Sequence, residues 1–291
     1  MKTHLNILNT VAEYQVYSAS TAYSKPNVTY VRENKVLYYD YGDNKPKPDL
    51  SKYKGEFAEI SEGGITWFKS AITSVNYIPS GVTSLKDTFN ECRSLVNVSE
   101  IPSGVTNMEG TFRYCSSLTA APAIPSGVTN MQSTFLGCSL LTEAPKIPDG
   151  VTSMTFTFCD CHSLVNAPEI PSGVTDMSWT LEYCTSLITA PEIHSSVTKM
   201  QSTFHGCSKL VNVPPIPSGV TDVIWAFYGC SSLRTVTFLA TTPQYYDDTL
   251  SGCSSLETIY VLDESVDAYK TATGWSQFAD IIKPLSSKPS E

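Results

Sequence analysis

Cys115-Ser116-Ser117-Leu118-Thr119-Ala120-Ala121-Pro122-Ala123-Ile124-Pro125-Ser126-Gly127-Val128-Thr129-Asn130-Met131-Gln132-Ser133-Thr134-Phe135-Leu136-Gly137 is the stretch whose reading decides the fold. Cys138 follows and the pattern starts again, with no insertion or deletion. Cys92, Cys115, Cys138, Cys161, Cys184, Cys207, Cys230 and Cys253 form one column at this 23-residue step. Leu95, Leu118, Leu141, Leu164, Leu187, Leu210, Leu233 and Leu256 form a second, and Ile101 through Ile216 with Leu239 and Leu262 a third. Upstream, Ile72, Val75 and Ile78 continue the pattern without a cysteine, which gives about nine rungs. A fixed period of this length marks a stack of like units, each unable to bury its apolar face alone. The expected fold class is therefore a repeat solenoid.

Within one unit, Leu118, Ala121 and Ile124 are expected to point inward along a short strand. Ile124-Pro125-Ser126-Gly127 then reads as a type I turn, with Pro at the second position and Gly at the fourth. Met131 and Phe135, four apart, would share one face of a short helical turn. The Thr83, Thr106, Thr129, Thr152, Thr175, Thr198 and Thr221 column could cap that turn. Pro122, Pro145, Pro168, Pro191 and Pro214 cannot donate to a ladder, so strands are expected to end just before them. Stacked at about 4.8 Å, nine rungs would make a parallel sheet roughly 40 Å long.

Charge and composition narrow the function classes. The 291 residues carry a formal charge of −9, and Lys45 and Lys47 fall in a Pro-rich linker over residues 40–55. Without clustered Lys and Arg, no nucleic-acid partner is expected. Met1 to Thr10 holds no apolar core of the kind a signal peptide needs. No stretch approaches the ~20 apolar residues of a membrane helix, so no membrane insertion is expected. On this reading the chain is soluble, outside the general secretion route, and placed at a cell surface, extracellularly or on a virion.

The cysteine column is too regular for a nucleophile and is expected to hold reduced, buried thiols, because parallel side-chain vectors suit disulfides poorly. Cys159 is off this register and is expected to be the more exposed one, open to reaction or merely tolerated. Cys159, Cys161 and His162 are close in sequence, but alternation should point them apart. There is no paired Cys-x-x-Cys, no His-x-x-x-His and no phosphate-binding glycine loop. Catalytic, metal and cofactor sites are all expected to be absent.

Columns that vary between rungs are free to serve a ligand. Asn97, Glu100, Glu143, Lys146, Asn166, Glu169, Thr189, Glu192 and Asn212 should face outward on the sheet side, as a binding face or simply as a solvated one. A second variable column, two residues after Met, holds Phe156, Trp179 and Trp225, with Tyr183 and Tyr228 nearby. These rings would mark a protein or sugar contact if exposed; the preferred reading packs them between neighbouring turns.

Thr111-Phe112-Arg113-Tyr114-Cys115-Ser116-Ser117-Leu118, with the period and column types, resembles the BspA-like, treponemal-type leucine-rich repeats. The resemblance covers about residues 65–262 and implies a leucine-rich-repeat array of short parallel β-strands and short helical turns. Its strand segment is one residue longer than the commonest form, and His194-Ser195-Ser196 replaces Pro-Ser-Gly in one rung. Ala268, Tyr269 and Trp275 resemble the usual ending of such proteins, so residues 263–291 are expected to form a C-terminal cap with a short helix and a tail. Residues 1–64 read as an N-terminal cap or attachment module, with a β-hairpin made by Val28–Val31 and Lys35–Tyr39. The resemblance implies a non-enzymatic binding or adhesion protein recognising a protein or glycan. A phage or prophage tail component, joined to other subunits through residues 1–64, is the alternative.

Overall fold

The computed structural model describes residues 74–289 apart from 76–77, 79–81, 99 and 244–247, together with five strand segments nearer the N-terminus. These are β1 (His4–Asn6), β2 (Asn27–Val31), β3 (Val36–Asp40), β4 (Ile60–Ser61) and β5 (Gly64–Ile65). β3 pairs antiparallel with both β1 and β2, and β4 pairs antiparallel with β5. The linker expected over 40–55, past Asp40, and Ile72 lie outside the described residues.

From residue 74 onward every pairing is parallel. β6 (Ser74–Val75) sets Val75 opposite Val98 of β7 (Asn97–Val98). Further along, single-residue bridges join Glu143, Asn166, Thr189, Asn212 and Thr235, each one step of 23 from the last. Only then do longer strands appear, β8 (Thr235–Phe238) and β9 (Thr258–Val261), four residues each. The reason is the proline column. Rungs with Pro145, Pro168, Pro191 or Pro214 lack an N–H where the ladder would continue, while β8 and β9 carry Thr237 and Tyr260 there. The same substitution shifts the inward register. In a proline rung Val213 and Ile216 are buried three apart, whereas in β8 Val236 and Phe238 alternate two apart. Phe238 bridges Ile216, and Phe238 and Val261 take the slot expected of Leu239 and Leu262.

The core is a set of buried columns stacked along the array. Leu, Cys, Met and Phe from successive rungs are almost wholly enclosed. Phe89, Phe112, Phe135 and Phe158 stack ring on ring with centroids 5.7, 5.5 and 5.4 Å apart. Offset stacking of this kind adds about 0.5–1.5 kcal/mol per pair beyond area burial.

The segment from Met to Cys is not helical, and here the expectation fails. Met131 and Phe135 are both buried, but no helix occurs among the described residues of the array. The backbone instead makes consecutive turns whose N–H groups alternate in direction. Thr134 N–H reaches back to the Met131 carbonyl and Cys138 N–H to that of Phe135. Between them, Phe135 and Gly137 N–H cross to the carbonyls of Thr157 and Cys159 on the next rung. Two left-handed residues per rung make this possible, such as Ser133 (φ 55°) and Gly137 (φ 74°). A turn with positive φ at its third position is type II.

Side chains reinforce the stack. Thr134 Oγ1 lies 2.7 Å from the Met131 carbonyl and 2.9 Å from that of Met108 on the preceding rung. Cys161 Sγ–H donates to the Phe135 carbonyl at 3.3 Å, and the equivalent thiol bond recurs from Cys115 to Cys253. Two turn assignments also change. The reversal hydrogen bond runs from Val128 N–H to the Pro125 carbonyl, so Pro125 is first in that turn, not second. The expected threonine caps bond along the stack instead, Thr106 Oγ1 and N–H both reaching the Thr83 carbonyl. Capping falls one residue later, as where Asn107 Oδ1 accepts the Glu109 N–H at 2.9 Å.

At the C-terminal end, α1 (Val266–Thr271) places Tyr269 over the last rungs. β10 (Ile282–Pro284) then extends the sheet beside β9, with Ile282 opposite Ile259 one further step of 23 on.

Candidate functional site

Two outer surfaces carry the variable residues. On the sheet side, Asn97, Glu100, Glu143, Lys146, Asn166, Glu169, Thr189, Glu192 and Asn212 are all exposed. Hydrogen bonds between rungs hold part of this row, with Thr189 Oγ1 donating to Asn166 Oδ1 at 3.4 Å. Glu143, Glu169 and Glu192 make it acidic, relieved by Lys146 alone of the nine.

Beside that row runs a column that the sequence reading passed over. It is the residue directly after each core leucine: Val165, Ile188 and Val211 on three successive rungs. Ile188 is 47% exposed and Val165 37%, and Leu140, just before the preceding core leucine, is 50% exposed. Their main chains are tied together, Ile188 N–H donating to the Val165 carbonyl at 3.0 Å. The signal was available in the same 23-step comparison, since Thr119 and Thr142 hold this column elsewhere.

On the turn side the expected aromatic residues divide. Phe156 and Trp179 are half-buried and stack face to face, centroids 4.7 Å apart and 6° from parallel. Tyr183, Trp225 and Tyr228 are exposed. Trp179, Tyr183 and Trp225 all adopt positive φ, the left-handed corners of their turns. The Tyr183 ring lies over Gly206 on the next rung, where a β-carbon would collide with it.

Among these rings sits a polar chain in the column Cys159, Glu182, His205, Tyr228. His205 Nδ1 is 2.9 Å from Glu182 Oε1, and its Nε2 is 3.3 Å from Tyr183 Oη. The other Glu182 oxygen accepts from Cys159 Sγ at 3.5 Å, and Asp160 Oδ2 lies 3.8 Å from the same sulfur. Cys159 is 4% exposed, correcting the expectation of a more accessible thiol. It lies beneath the turn run, directed toward the carboxylates of its own and the following rung. Burial first, then Asp160 and Glu182, push its thiol far above the ordinary range. That is the reverse of the activation a nucleophilic cysteine requires.

The nine cysteines form no disulfides, and those of the column have raised pKa values where a shift is resolved, burial being the main cause. Among the described residues no group of three or more His, Cys, Asp or Glu is placed to hold a metal ion. No described helix is long and apolar enough to cross a membrane.

Comparison with known proteins gives a consistent picture. The family described as the BspA type leucine rich repeat region (6 copies) matches over residues 66–177, 133–257 and 215–273. The crystal structure of a leucine rich repeat protein from T. pallidum is similar at 24% identity and a TM-score of 0.50, covering 60% of this chain and 86% of that one. A leucine rich cell surface protein from Faecalibacterium prausnitzii is 25% identical with a TM-score of 0.44, covering 70% of this chain. The present chain spans 64% of that protein's length. No curated protein matches.

Proposed function

Because the chain belongs to the BspA-type leucine-rich-repeat family, we propose that it is a non-enzymatic binding protein that engages a protein partner through its sheet side. One observation carries this reading: the exposed Val165 and Ile188, continued by the half-buried Val211, run beside the exposed acidic and amide row. Apolar side chains held in water over successive rungs are costly unless something covers them. The flanking Glu169 and Glu192 suit a partner that presents basic residues around an apolar strip. Adhesion fits this surface, because a stack of rungs offers one extended face. The turn-side polar chain speaks against catalysis, since both His205 nitrogens are engaged and the nearby thiol is held protonated.

The test is binding of the full chain to a panel of purified basic extracellular-matrix proteins, with wild type set beside Ile188→Asp and Val165→Asp. At least one protein is expected to bind, and each substitution to weaken it on the order of tenfold without lowering the melting temperature. Binding that ignores both substitutions, or no binding to any member of the panel, defeats the proposal.

A further inference from the structure

The turn side presents a second surface, independent of the sheet side. Tyr183, His205 and Tyr228 come from three successive rungs and touch in sequence. The Tyr183 and His205 ring centroids are 4.7 Å apart, and those of His205 and Tyr228 5.1 Å apart. Trp225 stands in the same turn run as Tyr228, whose N–H bonds the Trp225 carbonyl. Tyr183 and Tyr228 are each 41% exposed and Trp225 44%.

Two features mark this as more than turn packing. First, Tyr183 (φ 55°) and Trp225 (φ 52°) occupy left-handed corners that other rungs fill with Gly206, Gly229 or Ser133. The backbone needs no ring there, and a bulky residue with positive φ is a conformational outlier. Second, the polar groups are held in place before any ligand arrives, Glu182 and Tyr183 Oη fixing the two nitrogens of His205.

We propose that this surface binds a neutral oligosaccharide laid along the stacking axis. A pyranose has an apolar C–H face and a rim of hydroxyls, which matches rings flanked by a carboxylate and an imidazole. Rungs recur at about 4.8 Å, comparable to the length of one sugar ring, so a linear chain would present one residue per rung. Nucleobases also stack on aromatic rings, but their phosphates require a basic groove. Glu182 and Asp160 line this surface instead, and the whole chain carries −9. The same carboxylates disfavour sulfated or uronic-acid glycans.

The experiment is calorimetric titration of the full chain with chitohexaose, cellohexaose and mannohexaose, and with a heparin hexasaccharide as the acidic probe. At least one neutral probe is expected to bind more tightly than the heparin fragment. Trp225→Ala and Tyr228→Ala are each expected to weaken it on the order of tenfold. Both residues are exposed, so the melting temperature should hold, and Ile188→Asp should leave sugar binding intact. Absence of binding by every neutral probe, preference for the heparin fragment, or indifference to both ring removals would overturn the assignment. The sheet-side proposal would survive any of these.

Discussion

The cysteine column illustrates how one residue type answers several demands at once. From Cys115 to Cys253 each column thiol fills a core slot and also donates across rungs, as from Cys138 Sγ to the Phe112 carbonyl at 3.1 Å. Burial raises these thiols above the unfolded value of about 8.5, with neighbouring thiols adding to the rise at Cys161 and Cys207. At Cys253, the half-buried end of the column, the thiol is pushed up to about 12. A folded-state pKa above the unfolded one contributes stability that is complete below the unfolded pKa and lost as pH rises above it. The urea midpoint is therefore expected to be flat through neutral pH and to fall above about 8.5, and Cys161→Val should make that fall shallower. A midpoint that rose with pH would contradict the protonated, buried column. Burial of these cysteines was legible from their period alone. The thiol bonds were not, because each acceptor lies 26 residues earlier and leaves no trace in composition. Cys159 was misjudged for a related reason: its off-column position suggested a free surface, while the alternating turns tuck it inward.

At the level of elements, spacing misled and backbone chemistry decided. Met131 and Phe135 four apart satisfy a helix pattern, yet a helix would direct every N–H back along its own turn. The observed run sends every second N–H to the next rung, which requires two positive-φ residues per unit. Glycine at the second corner hinted at this, as at Gly137, but Tyr114 and Tyr183 occupy the same corner and concealed it. Gly137→Ala is a direct test, because Gly137 has φ 74° and the Tyr114 ring lies where a β-carbon would go. The left-handed strain alone costs about 1–2 kcal/mol, and displacing the ring should add to it, which denaturant unfolding can measure. Ser133, also left-handed at φ 55°, is the control: Ser133→Gly should not destabilise. Proline was read more securely, since Pro145 through Pro214 mark the rungs where pairing shrinks to a single bridge.

For the whole molecule, the parallel stack was evident from the sequence, whereas its continuation past Leu262 was not. Ile282 falls one period after Ile259, but α1 and its flanking turns intervene and hide the repeat. That end closes on an aromatic knot: Trp275 meets Phe238 and Tyr269 edge-on, with centroids 5.0 and 4.9 Å apart. Trp275→Ala is expected to cost about 3–5 kcal/mol and to raise hydrogen exchange first in β9 and β10, with the middle rungs affected least. Uniform loss of protection along the chain would show that the rungs do not behave as nearest-neighbour units. The outer surfaces were the least legible, because exposure of a valine such as Val165 depends on its place in the rung and not on its type. One feature of the stack also bears on mechanics. The bonds joining rungs, from Thr106 N–H to the Thr83 carbonyl onward, all link one rung to the next. Tension applied between the chain ends would load them one after another, so such a tether should lengthen by peeling, at low force and in steps of one period, instead of snapping as a unit.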